Sequence, residues 1–130
     1  MELPDKLKKL LAAYPQIQLA ILFGSLSQGR ERASSDLDIG VAGNQPLTAE
    51  ERLEMIEALA KVFARPVDLV DLQSAAGPIL AQILTKGRLI YCTDHALYAE
   101  IMKRMLFDEA DMAPYRRHIL TERRKAWIGN

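Results

Sequence analysis

Four short apolar runs, at residues 17–23, 36–42, 67–72 and 88–92, are separated by segments with helical spacing of their apolar residues. Runs this short suit buried strands, and the segments between them suit amphipathic helices. Strand–helix alternation of this kind predicts an α/β chain, with a mixed sheet of about four strands and helices flanking it. The clearest helix is 48–64. Thr48 and Glu51 form a capping box, Glu50 and Glu51 load its first turn, and Lys61 and Arg65 close its end. Leu53, Ile56, Leu59, Ala60 and Phe63 are its expected buried stripe. A helix of this length fits the crossover that joins two parallel strands. Further helices are expected at 4–13, where Tyr14-Pro15 stops the chain, in a short turn after Ser25, and at 75–85.

Chemistry concentrates between the first two strands. Gly24-Ser25 ends the first apolar run, ten residues of polar loop follow, and Asp36-Leu37-Asp38 opens the second run. In a strand, residues i and i+2 share a side, so Asp36 and Asp38 aim two carboxylates at one place. Two like charges so close are unfavourable unless a cation lies between them. Hard oxygen donors in this number suit Mg²⁺, which binds one or two carboxylates together with substrate phosphates. A glycine lets the backbone come close to a ligand, and helix-start amides favour phosphate. The combination reads as a nucleoside triphosphate site with a metal. Each half alone is common: a Gly-Ser turn means little, and Asp-x-Asp is often a solvated strand end.

Gly-Ser, ten residues, then Asp-x-Asp resembles the signature of the polymerase β-like nucleotidyltransferase superfamily, and the short chain is similar to its minimal nucleotidyltransferase (MNT) branch. The resemblance covers about residues 17–91. It implies a polymerase β-like core and a third acidic residue on a later strand, where Asp68 and Asp71 are both available. Asp68 is preferred because a carboxylate one residue inside an apolar run is costly without a partner. Asp71, nearer the strand end, is expected to be solvated or to cap the next segment.

On this reading Asp36, Asp38 and Asp68 are the catalytic and metal-binding set for two Mg²⁺ ions, with ATP as substrate. Gly24, Ser25 and Arg30 hold the nucleotide. Arg32 is the alternative to Arg30, and a solvated loop is the simpler reading of both arginines. The resemblance implies an antitoxin that transfers AMP to a tyrosine hydroxyl of a cognate HEPN ribonuclease toxin and so neutralises it. Transfer to a small molecule of the antibiotic type, and neutralisation by binding alone, are the alternatives. A core spanning 1–92 leaves little chain for an acceptor domain, and a complete carboxylate set speaks against a decayed site.

Composition narrows the partners. Lys+Arg and Asp+Glu are 17 each. Such balance gives no basic excess for direct nucleic-acid binding and argues against a template-directed polymerase. No run is long enough for a membrane span, and no signal-peptide core follows the N-terminal lysines. The single cysteine, Cys92, is expected to be a buried inert thiol, in keeping with a cytoplasmic protein. His95 and His118 are expected at the surface.

Residues 93–130 form a C-terminal helical extension in this reading, with helices at 94–110 and 114–127. The first carries Leu97, Tyr98, Ile101, Met102, Met105, Leu106 and Phe107. That is more apolar circumference than packing on a sheet requires, and it suggests a partner-binding surface. The second carries five basic residues and Trp127, a face that is either solvated or paired with a partner.

Overall fold

The computed structural model describes residues 3–24 and 36–108. Its elements are α1 (Leu3–Leu11), β1 (Ile17–Phe23), β2 (Leu37–Gly43), α2 (Ala49–Phe63), β3 (Val67–Asp71), α3 (Gly77–Lys86), β4 (Arg88–Cys92) and a helix α4 over residues 95–108. The four strands form one mixed sheet in the order β3-β2-β1-β4. β1 runs antiparallel to both β2 and β4, while β2 and β3 are parallel. α2 is the connection that parallel pairing demands.

Local chemistry sets the element ends. Thr48 caps α2: its hydroxyl accepts from the Glu51 amide, and the Glu51 carboxylate accepts from the Thr48 amide. Pro78 stands in the first turn of α3, where its missing N–H costs nothing. The Asp94 carboxylate accepts from the Leu97 amide at 3.1 Å and caps α4.

Strand alternation divides the core between the two faces of the sheet. On one face Ala20, Leu22, Leu37, Ile39, Val41 and Leu69 pack against Leu7 and Leu11 of α1 and Met55 and Leu59 of α2. On the other, Leu19, Ile21, Phe23 and Leu72 pack against Leu80, Ile83 and Leu84 of α3 and Ile101 and Met105 of α4. Truncating a fully buried leucine in such layers, Leu59→Ala for example, costs about 2–5 kcal/mol.

Some expectations shift. The buried face of α2 is centred on Met55 and Leu59, with Ile56 and Phe63 partly covered, whereas Leu53 is 58% exposed. Two residues before Met55, Leu53 lies more than half a turn away from the buried line. Cys92 is half-buried rather than enclosed, and its Sγ lies 3.6 Å from His95 Nδ1. α4 divides its apolar residues: Ile101 and Met105 are buried, while Leu106 and Phe107 are exposed. The short helix after Ser25 and the helix at 114–127 fall outside the described residues, as do His118 and Trp127. No described helix is long and apolar enough to cross a membrane.

Candidate active site

The strand register assembles the candidate site at one end of the sheet. Antiparallel pairing puts Phe23 opposite Asp38, so Gly24 leaves β1 beside that carboxylate. Parallel pairing puts Asp68 opposite Asp38 on the other side. Neighbouring strands are about 4.8 Å apart, so Gly24, Asp38 and Asp68 form a row across three strands. Asp36 lies just ahead of β2 and is exposed. Leu37, Ile39 and Val41 point into the α1/α2 core, which turns Asp38, Gly40 and Ala42 toward α3.

Asp38 bears the electrostatic cost of this arrangement. Burial raises its carboxyl pKa above the ordinary carboxylate value, and the nearby charges of Asp68 and Asp36 raise it further. A group pushed this way by like charges in a cluster is what a bound cation would relieve. Gly24 takes a positive φ of 75°, in the left-handed region that glycine tolerates. A Cβ built there would run into Asp38 Oδ2. The glycine is therefore required twice, by the turn and by the close approach of backbone to carboxylate.

Asp71 belongs to a different environment. It shares the face of Val67 and Leu69, opposite to that of Asp68. Its Oδ2 accepts from the Leu47 amide at 2.9 Å, its Oδ1 from the Gln73 amide at 3.0 Å, and it is 7% exposed. Of the two expectations for Asp71, solvation fails, and the cap on the segment after β3 holds through the Gln73 amide. Asp71 ties the start of α2 and the loop after β3 to the strand. Asp68, argued from the cost of burial, is itself exposed. Register, not desolvation, puts it next to Asp38.

Ser25, Arg30 and Arg32 lie outside the described residues. Away from the acidic row, Arg104 is an anchor of the fold. Its guanidinium donates to the carbonyls of Leu72 (2.5 Å), Gln73 (3.0 Å) and Ala75 (2.9 Å), locking α4 onto the loop after β3. Its place three residues after the buried Ile101 is the signal that the sequence offers.

Asp36, Asp38 and Asp68 are hard oxygen donors at neighbouring positions, the donor type that suits Mg²⁺. Among the described residues no three acidic, histidine or cysteine side chains already converge on one ligating point.

Residues 5–96 match the family model described as polymerase β, nucleotidyltransferase. The protein adenylyltransferase MntA of Shewanella oneidensis is 40% identical over 98 residues, covering 73% of this chain and 70% of that one. A chain from a crystal structure of a toxin–antitoxin with AMP-PNP superimposes with a TM-score of 0.78 at 33% identity, over 93% of this chain and 98% of that chain. A chain from the complex of tri-AMPylated Shewanella oneidensis HEPN toxin with MNT antitoxin gives a TM-score of 0.71 at 31% identity, over 92% and 93% of the two chains. With the Gly24 turn, the acidic row and the sheet order already in place, these likenesses agree on one conclusion: the chain belongs to the polymerase β nucleotidyltransferase family and is a homologue of the MntA protein adenylyltransferase.

Proposed function

We propose that this chain is an antitoxin that transfers AMP from ATP to a tyrosine hydroxyl of a partner HEPN toxin. The observation that carries the reading is the row of Gly24, Asp38 and Asp68 across β1, β2 and β3, with Asp36 beside it. The adenylyltransferase homologue and the likeness to the antitoxin of an AMPylated HEPN complex support the choice of substrate and acceptor.

In this reading Asp36, Asp38 and Asp68 would hold two Mg²⁺ ions. When bound, such ions offset the charge that develops on the attacking and leaving oxygens of an in-line displacement. The acceptor oxygen bonds to the α-phosphorus, the bond from that phosphorus to the bridging oxygen breaks, and pyrophosphate leaves. Asp68, exposed at the sheet end, takes the proton from the incoming hydroxyl. The Gly24 backbone, the Ser25 hydroxyl and Arg30 hold the β- and γ-phosphates, which aligns the α-phosphorus for attack. Raising the pKa of Asp38 while leaving Asp68 open to solvent separates the two roles: Asp38 gains most from a cation, and Asp68 can pass its proton to water.

The partner surface we assign to residues 93–130. Leu106 and Phe107 support it: they are 58% and 57% exposed on a helix whose other large apolar residues are buried or partly so, and Lys103 lies over the Phe107 ring at 5.7 Å. We place the complex in the cytoplasm, in keeping with a free thiol at Cys92.

Label transfer tests the proposal. ATP labelled at the α-phosphate should leave its label on the HEPN protein, and ATP labelled at the γ-phosphate should not. Label from the γ-position would make the reaction phosphorylation. No label from either, with the complex intact, would leave neutralisation by binding alone. Label on an added hydroxyl compound instead would identify a small-molecule transferase.

A further inference from the structure

β3 carries Asp68 and, among the described residues, has a neighbouring strand, β2, on one side only. It is five residues long, and Asp68 is its second. Pro66 O accepts from the Leu37 amide, and the Leu72 amide donates to Val41 O. Backbone groups alternate along a strand, so residues 66, 68, 70 and 72 turn theirs to β2, and residues 67, 69 and 71 turn theirs outward. The Leu69 carbonyl is therefore an edge group. Arg52, one turn into α2, reaches over the edge and donates from Nη2 to that carbonyl at 2.5 Å. A charge-assisted bond of this kind is shorter and stronger than a neutral one.

Deepening the nucleotidyl-transfer reading of the same site, we propose that Arg52 is a positioning residue for Asp68: it fixes the free edge of β3 at the carbonyl of Leu69, the residue after Asp68, and so holds that carboxylate in line with Asp38. The other end of β3 is anchored separately, by the Asp71 carboxylate and by Arg104, which binds the carbonyls of Leu72, Gln73 and Ala75. Between Pro66 and Leu72 the described edge carbonyl held by a side chain is Leu69, directly after Asp68. α2 thus acts on the site although it lies on the opposite face of the sheet from Asp68. Misplacing a reacting group by an ångström costs up to about a hundredfold in rate, so an edge strand that carries one needs a hold on its unpaired side.

The test compares Arg52→Ala, Arg52→Lys and Asp71→Ala in the full chain. Two readouts are taken: amide hydrogen exchange at Asp68 and Val70, and kcat and KM(ATP) for AMP transfer to the HEPN partner at saturating Mg²⁺. Arg52→Ala should speed exchange at both amides about tenfold, lower kcat about tenfold and leave KM(ATP) within about twofold. Arg52→Lys, which can still donate to the carbonyl, should recover most of kcat. Asp71→Ala, which removes the anchor at the other end of β3, should lower Tm more than Arg52→Ala does, with kcat per folded molecule within about twofold of wild type. Unchanged exchange in Arg52→Ala overturns the proposal, as does an equal loss of kcat in Asp71→Ala. If the wild-type chain transfers no AMP, the transfer reading has failed, and the exchange result alone decides whether Arg52 holds the strand.

Discussion

Asp68 and Asp71 sit at the two ends of one short strand and live under opposite rules. Asp71 is buried and has an amide partner for each carboxylate oxygen. Asp68 is exposed, on the other face, and pairs across β2 with a second carboxylate that is itself held in an unfavourable charge state. A carboxylate whose oxygens are all answered by backbone amides contributes to stability and has little left to offer a ligand. Carboxylates set on neighbouring strands, at the end of a sheet and beside a glycine turn, raise one another's cost of ionisation instead. The contrast separates the fold-bearing end of β3 from the end to which we assign the chemistry.

The sharpest break of that contrast is Asp38→Asn. It should leave the fold intact and lower AMP transfer about a thousandfold or more, since it removes a charge that the metals need. Full activity in this variant would detach the chemistry from the row. Next is Gly24→Ala. The new methyl meets Asp38 Oδ2 at a φ that disfavours any side chain, so turnover should fall about a hundredfold, with a stability loss of about 1–2 kcal/mol by denaturant titration. Asp71→Ala should do the reverse. Two part-buried amides lose their acceptor, stability drops by about 2–4 kcal/mol, and kcat per folded molecule stays near wild type.

The smallest effect is in the pH dependence. The folded state binds the Asp38 proton more tightly than the unfolded state, because its pKa is raised in the fold. Stability from this group therefore declines as pH rises from the ordinary value of 3.8 through the raised one, and stays lower above it. Asn mimics the protonated form at every pH. Without Mg²⁺, the Tm of Asp38→Asn minus that of wild type should grow from near zero around pH 4 to a degree or two around pH 7. A difference that shrinks with pH would mean that Asp38 is stabilised, not strained, by its surroundings.

Much of this was legible in the sequence. The periods of the apolar residues mark all four strands and the capped helix that joins β2 to β3, because each element makes its own local signal. The Asp36/Asp38 pair was legible too, since i and i+2 share a face in any strand. The burial of Asp68 and Asp71 was not. Position within an apolar run suggests burial for Asp68, but an edge strand buries its residues unevenly: the structure exposes Asp68 and encloses Asp71. What places Asp68 beside Asp38 is the register between two strands about thirty residues apart, a tertiary fact with no local signature. The same holds for Arg52 and Arg104. Both stand on helices, and both reach backbone carbonyls that only the folded chain brings near. Leu53 misleads for a related reason, since an apolar residue just off the buried line of α2 looks like part of it.

The most direct measurement is the intact mass of the HEPN partner after incubation with this chain, ATP and Mg²⁺, beside the same incubation with Asp38→Asn. The account predicts gains in whole AMP steps with the wild-type chain and none with the variant, while both chains still bind the partner. An unmodified partner with the wild-type chain, or equal gains with both chains, would contradict it.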